Sequence, residues 1–253
     1  QQDLILKAVK LGICGLGTVG SGTFNVLTRN AAAIAARAGR PIEISHIGAR
    51  RDNPNADTGG VKVSRDIFDV VNDAEIDVVV ELIGGTTVAK DLVLQAIANG
   101  KHVVTANKAL IAEFGNEIFA EAEAKAVTVS FEAAVAGGIP IIKALKEGLA
   151  ANQIQWLAGI INGTGNFILT EMRDKNRDFA DVLKEAQDLG YAEADPTFDV
   201  EGIDAAHKLA ILAAKRHITT EELKESTLEQ LYYLMEEVGE KVVNPKQVTH
   251  SGQ

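Results

Sequence analysis

The segment "GICGLGTVGSG", residues 12–22, limits the possible folds more than any other stretch of the chain. It completes an apolar run, "AVKLGIC" (8–14), and opens a stretch with helical spacing, residues 19–37. Gly15, Gly17 and Gly20 therefore form a G-x-G-x-x-G pattern at a strand-to-helix turn. In such a turn the first glycine permits the tight bend and the second lets a pyrophosphate approach the backbone. The third lets helix and strand pack closely, and the helix start offers N–H groups to phosphate. Read this way, Gly15, Leu16, Gly17, Thr18, Val19 and Gly20 cradle a dinucleotide. The competing reading is a purely structural glycine-rich turn.

The rest of the first half fits that turn. "IEISHIGA" (42–49), "DVVVELI" (77–83) and "KHVVTA" (101–106) read as strands, with helical stretches at 66–73 and 89–100 between them. Strands apolar on both faces that alternate with helices predict a parallel sheet covered on both sides. From about residue 127 the pattern changes. "VTVSFEAAV" (127–135) and "IQWLAGIIN" (154–162) read as strands, and 139–150, 165–175 and 179–189 as helices, with another helix from near Glu201. The fold class is α/β: a Rossmann-type nucleotide-binding domain over 1–128 and an α+β substrate and dimerisation domain over 129–215. A helical segment, 216–253, follows, packing on the first domain or on a partner subunit. That segment has two capping boxes, Thr219 with Glu222 and Ser226 with Glu229, and an apolar stripe of Leu228, Leu231, Met235 and Val238.

Several function classes drop out on composition. The net charge is −10 over 253 residues and the longest basic run is Arg50–Arg51, which argues against nucleic acid as a partner. No stretch approaches the ~18 uninterrupted apolar residues of a membrane span. The single cysteine, Cys14, rules out an internal disulfide and fits a reducing, cytoplasmic setting.

Two basic features and one acidic one invite chemistry. Arg50 and Arg51 follow the second strand, where a ribose 2′ position is expected; they suit a 2′-phosphate, or are surface arginines. Lys108 begins a helix after the strand 102–106, so it either faces a ligand at the carboxyl edge of the sheet or stands in solvent. "GYAEADPTFDVEGIDAAHK" (190–208) gathers Glu193, Asp195, Asp199, Glu201 and Asp204 before one lysine, Lys208. Asp204 and Lys208 are i and i+4 on one helix face, near Ala205, Ile211 and Leu212, so the pair is partly desolvated. No EF-hand pattern or paired histidine spacing supports a metal there. What remains is a pocket whose carboxylates hold an ammonium while the lysine handles an oxygen.

Together "GLGTVGSG", "TANKALIAEFG", "FEAAVAGGIPII", "INGTGNFILTEM" and "GYAEADPTFDVEGIDAAHKLAILA" resemble homoserine dehydrogenase, in order and spacing, over about residues 5–214. The resemblance implies reversible reduction of L-aspartate 4-semialdehyde to L-homoserine, with NADP(H) preferred over NAD(H), and a homodimer. Lys208 then matches the acid/base lysine, with Asp204 beside it, and Lys108 matches the lysine between nicotinamide and substrate. Glu193 matches the carboxylate that holds the substrate amine, and Asp199, Tyr191, Gly163 and Thr164 line the same pocket. Thr86 joins the cofactor set. The carbonyls of Glu132, Val135, Gly137 and Ile139 match a monovalent-cation (Na+) site, which backbone oxygens suit. After about Leu212 the sequence departs from the family. Two other readings stand beside this one: another NADPH-linked reductase of a small amino-acid aldehyde or imine, and a nucleotide-binding protein without catalysis.

Overall fold

The computed structural model describes residues 6–155 and 157–214, so the capping boxes and stripe between Thr219 and Val238 lie outside the described residues. The chain divides after Ile142 into two compact units.

In the first unit, six strands form one parallel sheet: β1 (Val9–Cys14), β2 (Ile42–Gly48), β3 (Lys62–Ser64), β4 (Val78–Glu81), β5 (His102–Thr105) and β6 (Val129–Ser130). Their order is β3-β2-β1-β4-β5-β6, so the direction of winding reverses between β1 and β4. Helices α1 (Thr18–Arg29), α2 (Ala31–Ala38), α3 (Phe68–Asn72), α4 (Thr87–Ala98) and α5 (Lys108–Ala124) connect the strands. Adjacent residues of one strand feed opposite layers. Cys14, Val79 and Val103 pack with Leu92 and Ile97 of α4 and Leu110 and Ile118 of α5. Ile13, Ile47 and Val80 pack with Leu16 and Phe24 on the other face. This is why the central strands read as continuous apolar runs.

Three sequence expectations differ in detail. The helix over 19–37 is two helices, because Asn30 leaves helical geometry (φ −103°, ψ 15°) and serves as C-cap of α1 and N-cap of α2. The strand over 127–135 shrinks to β6, which joins this first sheet, and the chain then tightens into a 3₁₀ turn, Glu132–Ala134. Edge strand β3 carries only three residues and no apolar alternation for a sequence reading to detect.

After the short α6 (Ile141–Lys143) and a π-helical turn at Ala144–Gly148, the second unit contains α7 (Gly163–Lys175), α8 (Phe179–Asp188), α9 (Thr197–Val200) and α10 (Ile203–Ala214). Ile168, Val182, Ala186 and Ala192 form its core, with Phe167, Met172, Phe179 and Leu183 packed around them. The expected strand over 154–162 is not formed among the described residues, and Ile160 is 78% exposed. β propensity needs a neighbouring strand to express itself, and among its described residues this unit supplies none.

Candidate functional site

The glycine turn divides its labour as the pattern predicts. Gly15 has φ +101°, and a Cβ there would lie 2.6 Å from the carbonyl oxygen of Leu82. A Cβ on Gly20 would lie 2.0 Å from the carbonyl oxygen of Gly15. A Cβ on Gly17 would meet nothing within 4 Å, so the middle glycine keeps a space open rather than filling one. Gly17 is also the N-cap of α1, with no side-chain cap bond and no acidic residue in the first turn. The helix start is therefore electrostatically receptive to an anion. Leu16 is buried and anchors the turn, while Thr18 and Val19 are exposed. Asn53, which sequence reasoning missed, donates from Nδ2 to the Leu16 carbonyl at 2.8 Å and ties the loop after β2 to the turn.

Arg50 and Arg51 are exposed just past β2. The acidic neighbour Asp52 pairs with Arg65 at 2.9 Å, and Arg65 also bonds the Ala49 carbonyl at 3.2 Å. Open space at Gly17 and a helix start without acidic groups fit a dinucleotide phosphate chain, and the two exposed guanidinium groups past β2 suit a phosphate on the ribose.

The loops after β4 and β5 are joined by a buried carboxylate. Glu81 is fully buried and accepts from the Thr105 hydroxyl at 2.5 Å, from Ile83 N at 2.9 Å and from Gly84 N at 3.3 Å. Thr105 Oγ1 in turn accepts from Asn107 N at 2.9 Å, and Asn107 Nδ2 donates to the Gly85 carbonyl at 2.6 Å. Asn107 also caps α5 by accepting from Leu110 N, which fixes where Lys108, half-buried, starts that helix. Thr86 is the N-cap of α4 directly after Gly84 and Gly85, both in the left-handed region.

In the second unit the acidic stretch separates into groups with different partners. Lys208 Nζ lies 2.6 Å from Asp204 Oδ2 and donates to the Ile161 carbonyl at 2.6 Å. The two side chains are 21% and 11% exposed, so this i,i+4 pair is partly desolvated, as the sequence predicts. Asn162 Nδ2 donates to Asp199 Oδ1 at 2.8 Å and to Asp204 Oδ2 at 3.0 Å, while its Oδ1 caps α7 by accepting from Gly165 N at 2.6 Å. Gly163 opens α7, and Thr164 is buried and donates to the Tyr191 carbonyl at 2.6 Å. Glu193 and Tyr191 are exposed, and Gln187 holds the Glu193 carbonyl at 3.0 Å. Asp195 turns instead to Thr197, whose hydroxyl and then backbone N–H lower the Asp195 carboxyl below its usual range.

The carbonyl set of Glu132, Val135, Gly137 and Ile139 lies on one tight segment that includes the left-handed Ala136 and Gly138. Ile139 O already accepts from Ile141 N at 2.8 Å and Glu132 O from Val135 N at 3.5 Å. Glu132 Oε1 accepts from Ile142 N at 2.8 Å. Among the described residues, no three His, Cys, Asp or Glu side chains converge as metal ligands. Among them too, no helix is long and apolar enough to cross a membrane.

A doubly wound parallel sheet with this glycine turn defines the class of dinucleotide-binding proteins. A family profile described as "Homoserine dehydrogenase, NAD binding domain" matches residues 15–132, and one described as "Homoserine dehydrogenase" matches 140–248. The homoserine dehydrogenase of Pseudomonas aeruginosa is 74% identical over 209 residues, 83% of this chain and 48% of that protein. The crystal structure of a homoserine dehydrogenase from Thiobacillus denitrificans superimposes with a TM-score of 0.78 at 60% identity, covering 89% of this chain and 56% of that one. A hyperthermophilic archaeal homoserine dehydrogenase in complex with NADPH gives a TM-score of 0.72 at 26% identity, over 83% of this chain and 70% of that one. The chain belongs to the homoserine dehydrogenase family. It spans about half the length of the curated relatives it matches.

Proposed function

We propose that the chain carries the chemistry of an NADP(H)-dependent homoserine dehydrogenase, reducing L-aspartate 4-semialdehyde to L-homoserine and the reverse. The observation that supports this reading best is the partly desolvated Lys208–Asp204 pair beside the Asn162–Asp199 contact. When bound, the nicotinamide supplies the hydride that reaches the aldehyde carbon. Lys208 gives a proton from Nζ to the oxygen of the forming alcohol, and takes one back in the oxidation direction. Asp204 holds Lys208 in place, while Glu193 and Asp199, with Tyr191, Gly163 and Thr164 around them, take the substrate ammonium. Gly15 to Gly20 and Thr86 hold the dinucleotide, Arg50 and Arg51 favour the 2′-phosphate, and Lys108 lies toward the reacting end. The carbonyls of Glu132, Val135, Gly137 and Ile139 suit a sodium ion. The resemblance also supports a cytoplasmic homodimer, which the solution mass tests.

The deciding experiment is NADP+ reduction with L-homoserine on this chain and on Lys208→Ala. The variant should bind NADPH nearly as well as the parent and turn over at least ~100-fold more slowly. Near-normal turnover in the variant removes Lys208 from its role.

A further inference from the structure

Asn162 sits where three structural tasks meet, and we infer that its side-chain amide is the positioning group that sets the charge state and aim of Lys208. The inference rests on the dehydrogenase reading above. Asn162 Oδ1 is committed to the α7 start through Gly165 N, 2.6 Å away. Both carboxylate contacts come from its Nδ2, to Asp199 Oδ1 at 2.8 Å and to Asp204 Oδ2 at 3.0 Å. Asp204 Oδ2 is the same oxygen that lies 2.6 Å from Lys208 Nζ. The neighbouring residue, Ile161, offers its carbonyl to that Nζ at 2.6 Å. One dipeptide, Ile161–Asn162, thus grips the lysine directly and through its carboxylate.

The physical need is clear. Asp199 and Asp204 approach one donor from different elements, α9 and α10, and two carboxylates brought together repel unless a donor stands between them. The amide supplies that donor and carries no charge. Among the described contacts, Asp204 meets Nζ directly and Asp199 is tied to Asp204 through the amide, while Glu201 and His207 are their neighbours in sequence, on the turn before α10 and on α10. α7 brings no acidic residue in its first turn, so the uncharged amide is what this helix presents to the pair. An amide is the only common side chain that can cap a helix by its oxygen and bridge two carboxylates by its nitrogen.

This requirement can be separated from helix capping, since aspartate and serine both cap well. Asn162→Asp keeps the shape and the cap oxygen and replaces the bridging donor with a third negative group. Asn162→Ser keeps a cap and removes the bridge. The Lys208 titration is read by trace acetylation with acetic anhydride across pH, followed by mass spectrometry of the Lys208 peptide. Thermal melting checks the fold. Asn162→Asp should raise the Lys208 midpoint by about 1 pH unit and move the rising limb of homoserine oxidation, where Lys208 must be neutral to accept a proton, to higher pH with it. Asn162→Ser should lower kcat about tenfold or more with an unchanged melting temperature. A Lys208 midpoint unmoved in Asn162→Asp, or a parental kcat in Asn162→Ser, overturns the inference. If Asn162→Asp fails to fold, the serine variant decides alone. A midpoint difference between the parent and Asn162→Asp in a chain that oxidises no homoserine would refute the dehydrogenase reading and leave the labelling result standing.

Discussion

At the residue scale, the glycine turn gives two substitutions of one kind with opposite consequences. Gly20→Ala drives a methyl to 2.0 Å from the Gly15 carbonyl, a backbone atom that cannot swing aside. It should destabilise the first unit by ~1–3 kcal/mol, read from the urea midpoint. Gly17→Ala meets nothing within 4 Å, so stability should hold while the new methyl occupies space a phosphate needs. A loss of about tenfold in NADPH affinity, ~1.4 kcal/mol, is expected by titration calorimetry. Equal effects of the two substitutions on both measurements would show that the turn is not a cradle. The turn was legible because its meaning lies in spacing alone, as with Asp204 and Lys208. The Asn162 contacts span 37 and 42 positions and the Glu81–Thr105 bond spans 24, so no local pattern announces them.

Between elements, the β2–β3–α3 corner is held by a polar clip. His46, fully buried in β2, bonds Asp73 Oδ2 through Nδ1 at 2.8 Å and Ser64 Oγ of β3 through Nε2 at 2.8 Å. Lys62 reaches the same Asp73 oxygen at 3.1 Å. The Asp73 carboxyl, at the end of α3, is lowered to about 2, first by the backbone N–H of Glu75 and then by Lys62 and His46, against the effect of burial. A depressed carboxyl stabilises the fold above its unfolded value, near 3.9, and that contribution fades as pH falls toward the folded value. The urea midpoint of Asp73→Asn should therefore lie below the parent's at pH 6, and the gap should close between about pH 4 and pH 2. A gap constant across that range would count against the clip. This corner was hidden at the sequence level for a physical reason. β3 and β6 are too short for a two-residue period to repeat, whereas β1 and β4 declare themselves by filling two cores at once. The failure at 154–162 has the opposite cause, since residues there have strand character without a strand to pair with.

For the whole molecule, two units with separate cores predict two unfolding events. Calorimetry should resolve two transitions, and NADPH at ~100 times its dissociation constant should add ~2.7 kcal/mol to the one belonging to the sheet. A single transition that shifts as one would mean the cores unfold together. Among the described residues, the sheet is bordered by a three-residue strand bearing Lys62 on one side and a two-residue strand on the other. Such stubby, charge-guarded margins offer a neighbouring molecule almost no backbone to zip onto. When copies of this protein meet in a crowded solution, they should not polymerise by lengthening this sheet into a shared ribbon.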